Sequence, residues 1–162
     1  VDVDWSQERI CEYRRPKPVV HTVFREPRRV VRCGPFTQQL IALVAEIEGH
    51  RHFGVCVRKE RVIAGQRPAV LKHWHTDFGS NRKQGQRSEV RNYLFVSCEP
   101  GTMFLNEGPV EEIPGSDRPP DCFQIKPWTL ICYNATELHC SVAASVTGAI
   151  RYFFRATVDV GI

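Results

Sequence analysis

The chain has 162 residues, enough for one domain with a genuine core and too few for two independent ones. Hydrophobic residues make up 42% and charged residues 25%, with a mean hydropathy of -0.31, which excludes a disordered tail or a fibrous repeat. The formal charge of +4 is uneven: residues 1–35 and 51–91 carry 18 of the 22 Lys and Arg, leaving Arg118, Lys126, Arg151 and Arg155 for the remainder.

In chain order, residues 1–18 mix Asp2, Asp4, Glu8 and Glu12 with Arg9, Arg14, Arg15 and Lys17, so they offer no apolar stretch for a secretory signal. No later run approaches the roughly 20 apolar residues of a membrane span. Seven cysteines, at 11, 33, 56, 98, 122, 132 and 140, form no Cys-x-x-Cys pair and are odd in number, unlike a disulfide framework or zinc knuckle. Cys56, Cys98, Cys132 and Cys140 sit in apolar segments and read as small core residues, and the expected compartment is a reducing cytoplasm. Few aromatics interleave with the basic residues, so the positive half reads as a solvated surface rather than a nucleic-acid patch.

Thr37 to about Glu48 has helical spacing in Leu40, Ile41, Val44 and Ile47, with Thr37 as the expected cap and Gly49 as the stop. Short strand patterns follow at Phe53–Arg58, Ala69–Trp74, Val90–Ser97, Thr102–Leu105, Cys122–Ile125, Thr129–Tyr133, Leu138–Val142 and Ala149–Val158. That many short strands predict a mainly β sandwich or barrel, with the helix against a sheet. Two polar loops, residues 78–89 and 106–121, are long enough to act as lids.

The predicted strand at 69–74 runs into His73-Trp74-His75-Thr76-Asp77, where a period of two sends 73, 75 and 77 to one side. His139 follows a later strand. Two imidazoles and a carboxylate on one side of an ion leave its other side free, the arrangement suited to non-haem iron(II), although manganese and zinc accept the same donors. The last strand, Gly148-Ala-Ile-Arg151-Tyr-Phe-Phe-Arg155-Ala-Thr-Val158, puts Arg151, Phe153 and Arg155 on one face and Tyr152, Phe154 and Ala156 on the other. A guanidinium in so apolar a strand is costly unless it meets an anion: an internal carboxylate such as Glu107 or Glu137, or a dicarboxylate ligand held by paired bonds.

Trp74-His75-Thr76-Asp77, Gly101-Thr102-Met103-Phe104, His139 and Arg151-Tyr-Phe-Phe-Arg155-Ala-Thr resemble the motifs of iron(II)/2-oxoglutarate-dependent oxygenases, in particular the taurine dioxygenase-like branch. The resemblance covers roughly residues 68–158. It implies a double-stranded β-helix, or jelly roll, with one principal helix packed outside. It also implies a single domain over 1–162, with a helix-containing buttress at 1–67 and a metal-binding core at 68–158. His75, Asp77 and His139 would bind iron, and Arg151 with Thr102 would hold 2-oxoglutarate. Arg155 would be the alternative co-substrate anchor or grip an anionic substrate, with Phe78, Trp74 and Phe104 as further substrate contacts. The implied reaction is hydroxylation of a small, anionic or amino-acid-like molecule using dioxygen, with oxidative decarboxylation of the co-substrate. An aspartate at 77 is at odds with the halogenating members, where a small residue makes room for halide.

Only about sixty residues separate Asp77 from His139, so the large inserted lid of taurine dioxygenase is missing. Two other readings stay open. His73-x-His75 opens like a cupin metal signature, although Phe78, Gly79 and Ser80 stand where its glutamate belongs. A β-sandwich binding module with a basic face would leave the histidines as packing. A small-molecule substrate ranks ahead of nucleic acid because no base-stacking platform is evident.

Overall fold

The computed structural model describes residues 2–8, 34–49, 53–66, 74–75, 77, 90–105 and 121–159. Within them lie a 3-10 turn, Trp5–Gln7, and one α-helix, α1, Pro35–Ile47. Seven strands follow: β1 Phe53–Arg61, β2 Val90–Val96, β3 Thr102–Leu105, β4 Cys122–Gln124, β5 Ile131–Asn134, β6 His139–Ser141 and β7 Ile150–Asp159. The strand expected at Ala69–Trp74 lies outside the described residues except for Trp74, as does the loop at 78–89, and only Asp121 of the second loop is described.

The strands form two antiparallel sheets, ordered β1-β7-β2-β5 and β4-β3-β6. The molecule is mainly β, with one α-helix among the described residues. β1 pairs with β7 from Phe53↔Val158 to Arg61↔Ile150, so the segment read as a buttress supplies a strand to the sheet that carries both arginines.

Alternation along the strands gives the larger sheet two different faces. One packs on α1 through a cluster of Leu40, Val44, Val57, Tyr93, Phe95, Tyr152, Phe154, Ala156 and Val158. The other turns to the smaller sheet, where Leu94, Val96 and Tyr133 meet Phe104 and Ile125, with Ile131 and Phe153 beside them. A third cluster, Trp74, Met103, Leu138 and Cys140, lies on the outer side of the smaller sheet, because 103 and 104, like 138 and 139, point to opposite faces.

The helix begins differently from expectation. Thr37 is not its cap; it sits inside the helix, fully buried, and the N-cap is Gly34, which has no side chain to offer. The free amides are met instead by Glu8, whose carboxylate accepts from Phe36 N at 2.7 Å, Thr37 N at 3.1 Å and Thr37 Oγ1 at 2.6 Å. A negative group there also suits the helix dipole. Thr37 Oγ1 continues to Tyr152 OH at 2.7 Å, which ties the cap to β7. Gly34 is required because a Cβ would collide with the Gln7 carbonyl and the Glu8 carboxylate. Gly49, at φ 62°, ends the helix as expected. Before it, buried Glu48 accepts from Tyr93 OH and, at 2.7 Å, from Arg91 Nη2.

Of the cysteines read as core, only Cys140 is buried; Cys56 and Cys98 are half-buried and Cys132 is exposed on β5. These three, with Cys122, are free thiols like Cys140. Among the described residues no helix is long and apolar enough to cross a membrane.

Candidate metal centre

The site forms where the segment at 74–77 crosses β6. His75 and His139 exchange backbone bonds, N to O at 3.0 Å in both directions, and their rings lie 4.4 Å apart between centroids. Asp77 is fixed two residues on by its own N–H, which donates to Ala135 O at 3.1 Å. These bonds bring one ligand atom each from His75, Asp77 and His139 within 4.8 Å of one another.

The His139 ring is set for coordination. Nδ1 lies 3.0 Å from Glu137 O, an oxygen that only accepts, so Nδ1 donates there and Nε2 faces the cluster. Nε2 is 3.4 Å from Asp77 Oδ1. Two ligands at right angles on one ion at about 2.1 Å would lie about 3.0 Å apart, so a small side-chain adjustment brings both onto an ion. The donor set of two imidazoles and one carboxylate therefore fits a divalent transition metal such as iron(II). Phe104, paired with His139 across β3 and β6, packs 5.4 Å from its ring and 4.8 Å from that of Tyr133.

Burial acts to raise the pKa of Asp77, but the His139 imidazole, the Arg155 guanidinium and the Tyr133 hydroxyl outweigh it and hold the carboxyl at about 2. The carboxylate is thus charged and ready to bind a cation. Burial, and after it the charge of the neighbouring Asp77 carboxylate, pushes the Tyr133 phenol well above its ordinary range.

No protein-family model, curated protein or solved structure matches the chain.

The two arginines share a face of β7 but have different surroundings. Arg151 is buried; its Nε donates to Pro100 O at 2.8 Å and its Nη1 to Glu60 Oε1 at 3.0 Å, Glu60 being its cross-strand partner on β1. Burial lowers its pKa while Glu60 opposes that shift. The internal carboxylate that Arg151 meets is Glu60; Glu137 is not among its partners, and Glu107 lies outside the described residues. Arg155 reaches the cluster itself, with Nη1 3.4 Å from Asp77 Oδ1 and a buried Nε that has no partner among the described residues.

Thr102 lies on β3 two residues from Phe104, and alternation gives it the same inward face. Trp74 is not brought to the site. It is 3% exposed in the cluster behind the smaller sheet, because its neighbour His75 takes the inward side. Phe78 and His73 lie outside the described residues. Sequence reasoning overlooked Asn92 and Tyr133, cross-strand partners whose side chains both bond Asp77. The available signal was an amide at 92 in phase with Leu94 and Val96, a polar residue on an apolar face.

Proposed function

We propose that the chain is a non-haem iron(II), 2-oxoglutarate-dependent oxygenase on a jelly-roll scaffold, hydroxylating a small anionic or amino-acid-like substrate. The observation that carries this reading is the convergence of His75, Asp77 and His139 within 4.8 Å beneath a strand bearing two inward arginines. Iron(II), with 2-oxoglutarate and dioxygen, supplies the oxidising chemistry when bound. The chain's own residues hold and orient. His75, Asp77 and His139 would hold the ion from one side and leave the other for exogenous ligands.

Arg155 stands beside Asp77, and Arg151 lies four residues back on the same face of β7. A rise of roughly 3.3 Å per residue separates their Cα atoms by about 13 Å. Arg155 would hold the chelating end of a five-carbon oxo-dicarboxylate co-substrate. Arg151 would receive its far carboxylate in place of Glu60, a like-for-like exchange of anions. Thr102 and Phe104 belong to the facing wall. Phe104 and Phe153 exclude water from the space between the sheets.

Anaerobic addition of iron(II) and 2-oxoglutarate to the metal-free protein tests the reading. The expected result is the weak visible charge-transfer band of the chelate, lost in His75→Ala and in Arg151→Ala. Iron binding with no band at any 2-oxoglutarate concentration would overturn the co-substrate assignment and favour a metalloenzyme of the cupin kind.

A further inference from the structure

The two oxygens of Asp77 have unequal surroundings. Oδ2 accepts from Asn92 Nδ2 at 2.5 Å and from Tyr133 OH at 2.9 Å, whereas Oδ1 faces His139 Nε2 and Arg155 Nη1, each at 3.4 Å. A carboxylate oxygen has two lone-pair directions in its plane, and two close donors fill those of Oδ2. Oδ1 alone remains directed at His139.

Stability does not account for Asn92. Its side chain is buried, its Oδ1 has no partner among the described residues, and its strand neighbours on that face, Leu94 and Val96, are apolar. A buried amide with an unbonded oxygen is less favourable than an aliphatic side chain of the same size. Its orientation is fixed by chemistry, since the reverse placement would set two acceptors 2.5 Å apart. Tyr133 is similarly placed, 9% exposed, with its ring against Phe104 and His139 and its hydroxyl on Asp77.

We infer that Asn92 and Tyr133 are positioning residues that commit Asp77 to binding a metal ion through Oδ1 only. This rests on the metal-centre reading above. A carboxylate left free would close on the ion with both oxygens and occupy a further coordination position. Pinned at Oδ2, it leaves that position to incoming ligands, which a centre taking both a two-point chelate and a gas requires. Hydrogen-bonded partners of metal ligands have this orienting effect in general.

The probe is cobalt(II), which is stable in air and reports its ligand geometry through its visible d–d bands. Metal-free wild type, Tyr133→Phe, Asn92→Leu, the double variant and His75→Ala are titrated with cobalt(II) against a competing chelator, and their melting is followed without metal. Tyr133→Phe removes one oxygen and keeps the packed ring, so it decides the matter even where Asn92→Leu does not fold. The inference expects one cobalt per chain in wild type, affinity weakened by about 10–100-fold in each folded positioning variant, and an altered band envelope. Wild-type affinity and spectrum in Tyr133→Phe and in any folded Asn92→Leu, with binding abolished in His75→Ala, would overturn the inference and leave the metal centre standing. Altered melting with cobalt binding unchanged would overturn it equally. Failure of wild type to bind cobalt would remove the metal centre and the inference together.

Discussion

The same four strands make two faces, and the faces are built on different principles. Toward α1 the sheet offers Val57, Phe95, Phe154, Ala156 and Val158, and its two buried phenols are matched at the margins, Tyr152 through Thr37 to Glu8 and Tyr93 by Glu48. Toward the smaller sheet it offers Asn92, Tyr133, Arg151 and Arg155 among Leu94, Val96 and Phe153. Of the three buried polar atoms without a partner among the described residues, Asn92 Oδ1 and Arg155 Nε belong to this inner face and Arg91 Nε to the other. Burying charge and amide costs free energy that an aliphatic face would not. The helix face is thus apolar with its phenols matched, and the inner face carries the polar groups that the proposed metal centre would use.

Substitutions that damage one face and spare the other put this contrast at risk. The largest effect is expected from Asp77→Ala. It should remove metal binding and reduce 2-oxoglutarate-dependent oxygen uptake to background, as measured by metal content after dialysis and an oxygen electrode. Activity retained at a tenth of wild type would deny the inner face its assigned purpose. Next comes Phe154→Ala on the helix face, fully buried in the wild type. A urea titration should show a loss of about 3–5 kcal/mol, with cobalt affinity of the remaining folded protein unaltered.

Glu60→Gln is a finer probe because it removes the carboxylate from Arg151 at the junction of stability and ligand binding. Glu60 is partly exposed, so the stability loss should be modest, about 1–2 kcal/mol. If Arg151 receives the far carboxylate of the co-substrate, removal of the competing anion should lower the 2-oxoglutarate concentration needed for half-maximal chelate absorbance. A purely structural Arg151 would show the stability loss and no change in that titration. The smallest effect is expected of Glu8→Gln. It keeps the acceptor and loses the charge, so thermal melting should report a deficit of about 1 kcal/mol with the metal site untouched.

Much of the strand pattern was legible because local apolar alternation survives in the chain. Thr102–Leu105 has the bounds expected of it, and the other described strands shift by a few residues at their ends. His75, Asp77 and His139 were legible as a group because period-two spacing and one downstream histidine are visible without tertiary structure. Their confluence in space depends on the 75↔139 bridge, which the sequence does not announce. What stayed hidden is long-range pairing. Nothing near Arg151 marks Glu60 as its partner, since the two meet only through the β1–β7 register. Asn92 and Tyr133 become neighbours only through the β2–β5 register, and Trp74 was misplaced because adjacency in sequence to a ligand puts a strand residue on the opposite face. The helix cap was misread for a related reason: Thr37 is a good capping residue by type, yet the chain supplies a carboxylate from elsewhere.

That carboxylate makes the amino-terminal segment a latch. Glu8 and the first turn it seals are 28 positions apart, so the latch closes only after a loop of that length has formed, at an entropic cost that grows with the logarithm of its span. Release of the segment would expose the amides of Phe36 and Thr37 to water and take the carboxylate from the end of the Thr37–Tyr152 hydroxyl pair, while the inner face kept its bonds. Exchange of those two amides with deuterated solvent therefore times the opening of the tail separately from the unfolding of the sheet.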